Sequence, residues 1–134
     1  MQIKDSVFVI TGGGRGLGRA MAENLAEKGG KVALIDLSQE SLDEACAACA
    51  EHGVEARGYV CNITDESAVE NTFAQIKADF GEINGLVNNA GLMRDGMLIK
   101  VKDGELQAKM SLEQFQSVVD VNMTGTFLCG REAA

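Results

Sequence analysis

Residues 11–18 read Thr-Gly-Gly-Gly-Arg-Gly-Leu-Gly, set between a strand-like run and a helix-like run. The run before them, Ser6-Val7-Phe8-Val9-Ile10, is too apolar for a strand with one wet face. The run after them spaces Leu17, Met21 and Leu25 four apart, as on one stripe of a helix. A strand, a glycine turn and a helix start together make an anion site. Backbone N–H groups point outward, the helix dipole favours negative charge, and glycine lets a phosphate come close. Asp36 closes the next apolar run, residues 31–35, eighteen residues after Gly18. An acid near that offset takes the ribose hydroxyls of a dinucleotide. A plain glycine turn beside a solvated aspartate leaves that spacing unexplained. A nucleoside-triphosphate loop needs Gly-Lys-Ser/Thr at its end, and Gly18 is followed by Arg19-Ala20, so that reading is excluded.

The rest of the chain alternates. Helices are expected over about 38–52 and 65–80, the second with Val69, Phe73, Ile76 and Phe80 at helical spacing. Strands are expected near 54–60 and 83–89. Gly29, Gly53 and Gly81 each follow a helix, where a left-handed residue is wanted. Strands alternating with helices of this length predict an α/β fold, a Rossmann-type doubly wound parallel sheet of order 3-2-1-4. A ligand would lie over the carboxyl ends of strands 1 and 4. The length of 134 residues allows one domain.

Residues 97–110 interrupt the alternation. Asp103-Gly104 between Leu98–Lys102 and Glu105–Lys109 is a strong hairpin signal. The insertion near 98–109 reads as a polar, projecting hairpin, its lysines offset by Asp103 and Glu105. A last helix begins after Ser111, which forms a capping box with Gln114 and precedes Phe115, Val118 and Val119 on an apolar face.

Charge and cysteine usage exclude several functions. The net charge of −8 argues against a nucleic-acid surface, which needs a basic stripe. No 18-residue apolar run and no basic, apolar leader is present, so no membrane partner is expected. Cys46 and Cys49 share the apolar stripe of their helix with Leu42 and Ala45 and read as core. With one histidine, His52, in the last turn of that helix, no metal site is expected. Free core thiols fit a reducing cytoplasm.

These motifs carry a resemblance. The chain resembles the N-terminal half of a short-chain dehydrogenase/reductase, in the group that includes 3-oxoacyl-[acyl-carrier-protein] reductases. Thr11-Gly12 with Gly16 and Gly18 matches the family's TGxxxGxG. Asn88-Asn89-Ala90-Gly91 matches its NNAG, and Asn122, in Val121-Asn122-Met123-Thr124-Gly125, its helix asparagine. The resemblance covers essentially the whole chain, while the insertion around Asp103-Gly104 departs from members that run directly from NNAG into the helix.

The resemblance implies roles. Gly12, Gly14, Arg15, Gly16, Leu17 and Gly18 would form the pyrophosphate turn. Asp36 would hold the adenosine ribose, which favours NAD over NADP despite Arg15. Asn62, where the family commonly carries Asp, and Ile63 would meet the adenine. Asn62 would accept from its amino group with weaker help than a charged side chain. Asn89, Ala90 and Gly91 would line the cofactor, while Asn88 ties neighbouring strands. Asn122 would be catalytic, its main-chain carbonyl holding a water of the proton relay. The family's catalytic Ser and Tyr-x-x-x-Lys would lie beyond residue 134, since Tyr59, the only tyrosine, is followed four residues later by Ile63. The implied activity is hydride transfer between a nicotinamide and a carbonyl or alcohol, or an acyl thioester, in a homo-oligomer. The alternative is a nucleotide-binding module without catalysis.

Overall fold

A computed structural model describes all residues 1–134. Four parallel strands form the central sheet: β1 (Val7–Thr11), β2 (Lys31–Asp36), β3 (Ala56–Val60) and β4 (Gly85–Val87). Their order is β3-β2-β1-β4. The helices are α1 (Gly16–Glu27), α2 (Gln39–Ala50), α3 (Glu66–Phe80), α4 (Leu112–Val119) and α5 (Thr126–Ala133), with a π-helical stretch, Asp120–Gly125, joining the last two.

The period of two along the strands sorts the core into two layers. Ile10, Val32 and Leu34 face α1 and α2, where Ala22, Ala26, Leu42, Ala45 and Cys49 meet them. Val9, Ala33 and Ile35 face α3 and α5, where Val69, Phe73, Ile76, Leu128 and Cys129 close the other side. All five residues of β1 are buried, as a central parallel strand requires. Burial pushes the thiols of Cys49 and Cys129 up to about 11, as for cysteines that serve as small core residues. Cys46, expected in the core with Cys49, is only half-buried at its edge.

Two boundaries and one buried face differ from the sequence expectation. Helix α2 ends at Ala50, and His52 lies beyond it in the exposed turn whose N–H groups reach back to Cys49 and Ala50. Strand β4 spans only 85–87. Before it, the Asn84 carboxamide oxygen takes the Val7 N–H at 2.7 Å, and after it Asn89 turns onto Thr11, so side chains replace the ladder at both ends. On α1 the buried stripe is Gly18, Ala22 and Ala26, while Leu17 is 71% exposed. Small residues let α1 lie close against the sheet, which larger ones on that face would prevent.

The insertion is a two-stranded antiparallel hairpin, β5 (Ile99–Lys102) and β6 (Glu105–Lys109), and it joins no other sheet. Asp103 and Gly104 both adopt positive φ, 53° and 79°, as the predicted tight turn needs. The hairpin is less polar than expected. Pairing of Val101 with Leu106, and alternation with Ile99, gathers three exposed apolar side chains on one face, opposite Lys100 and Lys102. Every residue of both strands is exposed, so little stability resides there. Replacing 101–108 with a short glycine linker is expected to leave the melting temperature and ligand binding unchanged. Loss of the cooperative thermal transition in that variant would show that the hairpin supports the fold.

Candidate dinucleotide site

At the carboxyl ends of β1, β2 and β4 the chain leaves a cleft of about 480 Å³. Its floor is the glycine turn. Gly12 takes φ +65° and Gly16 φ +57°, values that side-chain-bearing residues rarely adopt. A Cβ on Gly18 would stand 2.1 Å from the Gly12 carbonyl oxygen, so the first turn of α1 sits directly on the end of β1. Helices α2, α3 and α4 begin with side-chain caps from Ser38, Asp65 and Ser111. Helix α1 has none, and its first turn carries no acid. Its N-terminal N–H groups face the cleft side uncapped, the arrangement in which a helix start receives an anion.

Asp36 braces the turn from β2. One carboxylate oxygen accepts from the Gly14 N–H at 2.9 Å and the other from the Leu37 N–H at 2.8 Å. Two charge-assisted bonds hold the carboxylate at the cleft wall with lone pairs to spare.

The opposite wall follows β4. Thr11, fully buried, receives the N–H groups of Asn89 and Ala90 on its hydroxyl at 3.1 and 3.0 Å. The Asn89 amide donates to the carbonyls of Thr11 and Gly12 at 3.2 and 3.3 Å. It is therefore Asn89 that ties β4 to β1. Asn88, assigned that task from the sequence, is exposed and makes no hydrogen bond, because the turn after Val87 aims the second asparagine inward.

Asn122 sits in the π-helical stretch, packed against the far end of this wall. Its carboxamide forms a two-point clamp on Leu92, accepting from the N–H at 2.7 Å and donating to the C=O at 3.0 Å. Its own carbonyl accepts from the Thr126 hydroxyl at 2.9 Å. A π-turn frees backbone from the usual ladder, and such turns concentrate at functional sites. Gln114 does not complete the capping box: Ser111 caps its N–H at 3.1 Å, but its side chain reaches to the Arg94 carbonyl.

The cleft gathers Gly12, Arg15, Gly16, Asp36, Asn62, Ile63, Asn89, Ala90 and Gly91. Gly14 and Gly18 stand behind it as supports, and Leu17 points to solvent. Sequence reasoning missed Ile35, Leu37, Cys61, Leu92 and Val121, which also line it. All five directly adjoin residues it had named, so strand ends and turns carried the only available signal. Tyr59 is elsewhere. Its hydroxyl donates to Asp79 at 2.7 Å, and burial together with that bond pushes its pKa well above the usual range. No group of three or more His, Cys, Asp or Glu side chains is placed to hold a metal, and no helix is long and apolar enough to cross a membrane.

A parallel sheet with an uncapped glycine turn under its central strand, faced by an acid at the next strand's end, is the arrangement found in dinucleotide-binding α/β folds. The family model for short chain dehydrogenases matches residues 6–134, and the chain belongs to that family. It is 32% identical over 128 residues to the 3-oxoacyl-[acyl-carrier-protein] reductase of Escherichia coli strain K12, covering 95% of this chain and 47% of that one. An NAD+-bound xylitol dehydrogenase superposes with a TM-score of 0.84 at 38% identity, over 99% of this chain and 48% of that one. The NADPH-dependent 3-quinuclidinone reductase of Rhodotorula rubra gives 0.81 at 33% identity, over 98% and 47%. The chain thus spans about half the length of the relatives it matches.

Proposed function

We propose that the chain is the cofactor half of an NAD-dependent oxidoreductase acting on a small carbonyl or alcohol, or on a 3-oxoacyl thioester. The observation that carries this reading is the convergence of the uncapped α1 start, Asp36 and the Asn89–Gly91 wall on one cleft. The uncapped N–H groups and glycine turn would hold the pyrophosphate. Asp36 would accept from ribose hydroxyls, and Asn89 would keep the wall rigid. A nicotinamide held there supplies or takes the hydride. In this reading the Asn122 clamp fixes the chain that follows Gly91, and its carbonyl, with a lone pair left beside Thr126, holds a water of the proton relay.

Asp36 also argues for NAD over NADP, since a 2′-phosphate would bring like charge against the carboxylate. Arg15 lines the same cleft and would favour that phosphate. Asp36 outweighs it because two backbone N–H groups hold it rigid, whereas the Arg15 side chain makes no bond. Charge-assisted bonds contribute roughly 1.5–3 kcal/mol. Asp36→Ser is therefore expected to weaken NAD+ at least tenfold and to narrow or reverse its advantage over NADP+. Calorimetric titration of both dinucleotides checks it. A wild type that prefers NADP+, or an unchanged ratio in the variant, overturns the assignment.

Residues 1–134 alone are expected to bind without turnover. Their one tyrosine is held by Asp79 outside the cleft, and the family's Ser, Tyr and Lys would come from sequence beyond them. NAD(P)H oxidation with a 3-oxoacyl ester tests this, and turnover at the rate of an intact family member would contradict it. The exposed stripe of Leu112, Phe115, Met123 and Phe127 along the last helices fits pairing of copies in the cytoplasm.

A further inference from the structure

Gly125 is a glycine because of space, not backbone angle. It is the buried residue of the π-helical stretch, at φ −60° and ψ −41°, helical values open to any residue. Glycine weakens a helix relative to alanine, so a neighbour must demand it, and that neighbour is Ile63. A Cβ at position 125 would stand 2.6 Å from Ile63 Cδ1 and 2.8 Å from Cγ1. A Cβ on Gly130, further along α5, meets nothing within 4 Å. Ile63 has little room to retreat. It is 7% exposed, in the core layer with Val69 and Leu128. Its turn is pinned by the Asn62 side-chain oxygen, which accepts from the Thr64 N–H at 3.0 Å and the Thr64 hydroxyl at 2.7 Å. The π-helical stretch is thus held at two points. Gly125 rests on Ile63, and Asn122 clamps Leu92 by two bonds. The Thr126 hydroxyl, next to Gly125, bonds the Asn122 carbonyl and joins the two points. Ile63 follows β3 and Leu92 follows β4, on opposite flanks of β1.

We propose that Ile63 and Gly125 are positioning residues for the Asn122 clamp. The isoleucine seated on the glycine sets where the π-helical stretch stands. Through Asn122 it sets where the Leu92 wall meets the nicotinamide half of the ligand. That last step rests on the dinucleotide reading above: Asp36 on β2 takes the adenosine half, which leaves the β4 flank to the nicotinamide half.

The test combines amide NMR of the free chain with titrations of NAD+ and ADP, which lacks the nicotinamide half. In Gly125→Ala the Leu92 amide proton is expected to move upfield as its bond to Asn122 lengthens. The advantage of NAD+ over ADP is expected to fall about tenfold, the size of one hydrogen bond lost. That ratio cancels any loss of folded protein. Gly125→Ala with Ile63→Ala removes both colliding atoms, and both readouts are expected to return toward wild type. Gly130→Ala is expected to move neither. Ile63→Val, which removes only the Cδ1 methyl, is expected to move the Leu92 resonance from the other side of the seat, and it carries the test if Gly125→Ala does not fold. A Leu92 resonance unmoved by the single variants, no return in the double variant, or an unchanged NAD+ to ADP ratio overturns the proposal. If neither ligand binds the wild type, the dinucleotide reading falls, and the Leu92 resonance still decides whether the seat sets the clamp.

Discussion

Gly18→Ala is expected to weaken dinucleotide binding by roughly a hundredfold or more and to lower the melting temperature by about 3–15 °C. The added methyl would lie 2.1 Å from the Gly12 oxygen, 2.8 Å from the Gly12 carbonyl carbon and 2.6 Å from Asn89 Nδ2. Two of those atoms are backbone, so relief requires α1 to move away from β1. Overpacking of this kind costs about 1–3 kcal/mol, occasionally more, and each kcal/mol shifts the melting of a domain this size by roughly 3–5 °C. The displacement also pulls the α1 N–H groups off the phosphate position. Losing two charge-assisted bonds there weakens binding by roughly a hundredfold or more. Gly16→Ala is the control. Its Cβ meets nothing within 4 Å, and only the positive φ opposes it, a strain of about 1–2 kcal/mol. Thermal melts and NAD+ titrations of the two variants separate collision from strain. A Gly18→Ala protein that melts and binds like the wild type would show that the turn yields freely.

Thr11→Val is expected to destabilise the fold by about 1–3 kcal/mol. The shapes match and the site is fully buried, so the loss comes from hydrogen bonds. Asn89 and Ala90 both donate to the Thr11 hydroxyl. The Asn89 N–H is shared with the Val87 carbonyl at 3.0 Å and keeps that partner, whereas the Ala90 N–H is left unpaired, which costs about 1–3 kcal/mol. Thr11→Ser keeps the oxygen and is expected to recover most of the loss. Denaturant unfolding of the three proteins checks this. Equal stability of Val and wild type would mean that the β1–β4 tie does not depend on the hydroxyl.

Strand order, hairpin turn and cleft were legible because each follows from a local rule. Alternation of apolar runs with 3.6-period segments specifies a parallel sheet, and Asp-Gly specifies the tight turn. What was not legible depends on approach distance. Leu17, Met21 and Leu25 form the more apolar stripe of α1, yet Gly18, Ala22 and Ala26 are buried. Periodicity ranks faces by hydrophobicity, whereas this contact selects by size. The asparagines illustrate the same limit. Sequence places Asn88 and Asn89 at the end of β4 but cannot say which one turns inward. It likewise gives Asn62 as an amide without saying that Thr64 takes its oxygen. The π-helical stretch at Asn122 carries no pattern distinct from that of an ordinary helix.

The central claim is that one cleft over the ends of β1, β2 and β4 receives a nicotinamide dinucleotide. Amide NMR of the ¹⁵N-labelled chain during titration with NAD+ tests it most directly. Saturable shifts are expected at Gly12–Gly18, Asp36–Leu37, Asn62–Ile63 and Asn89–Leu92, with residues 99–109 unmoved. Shifts centred on the hairpin or the α4–α5 stripe, or none at millimolar NAD+, would contradict it.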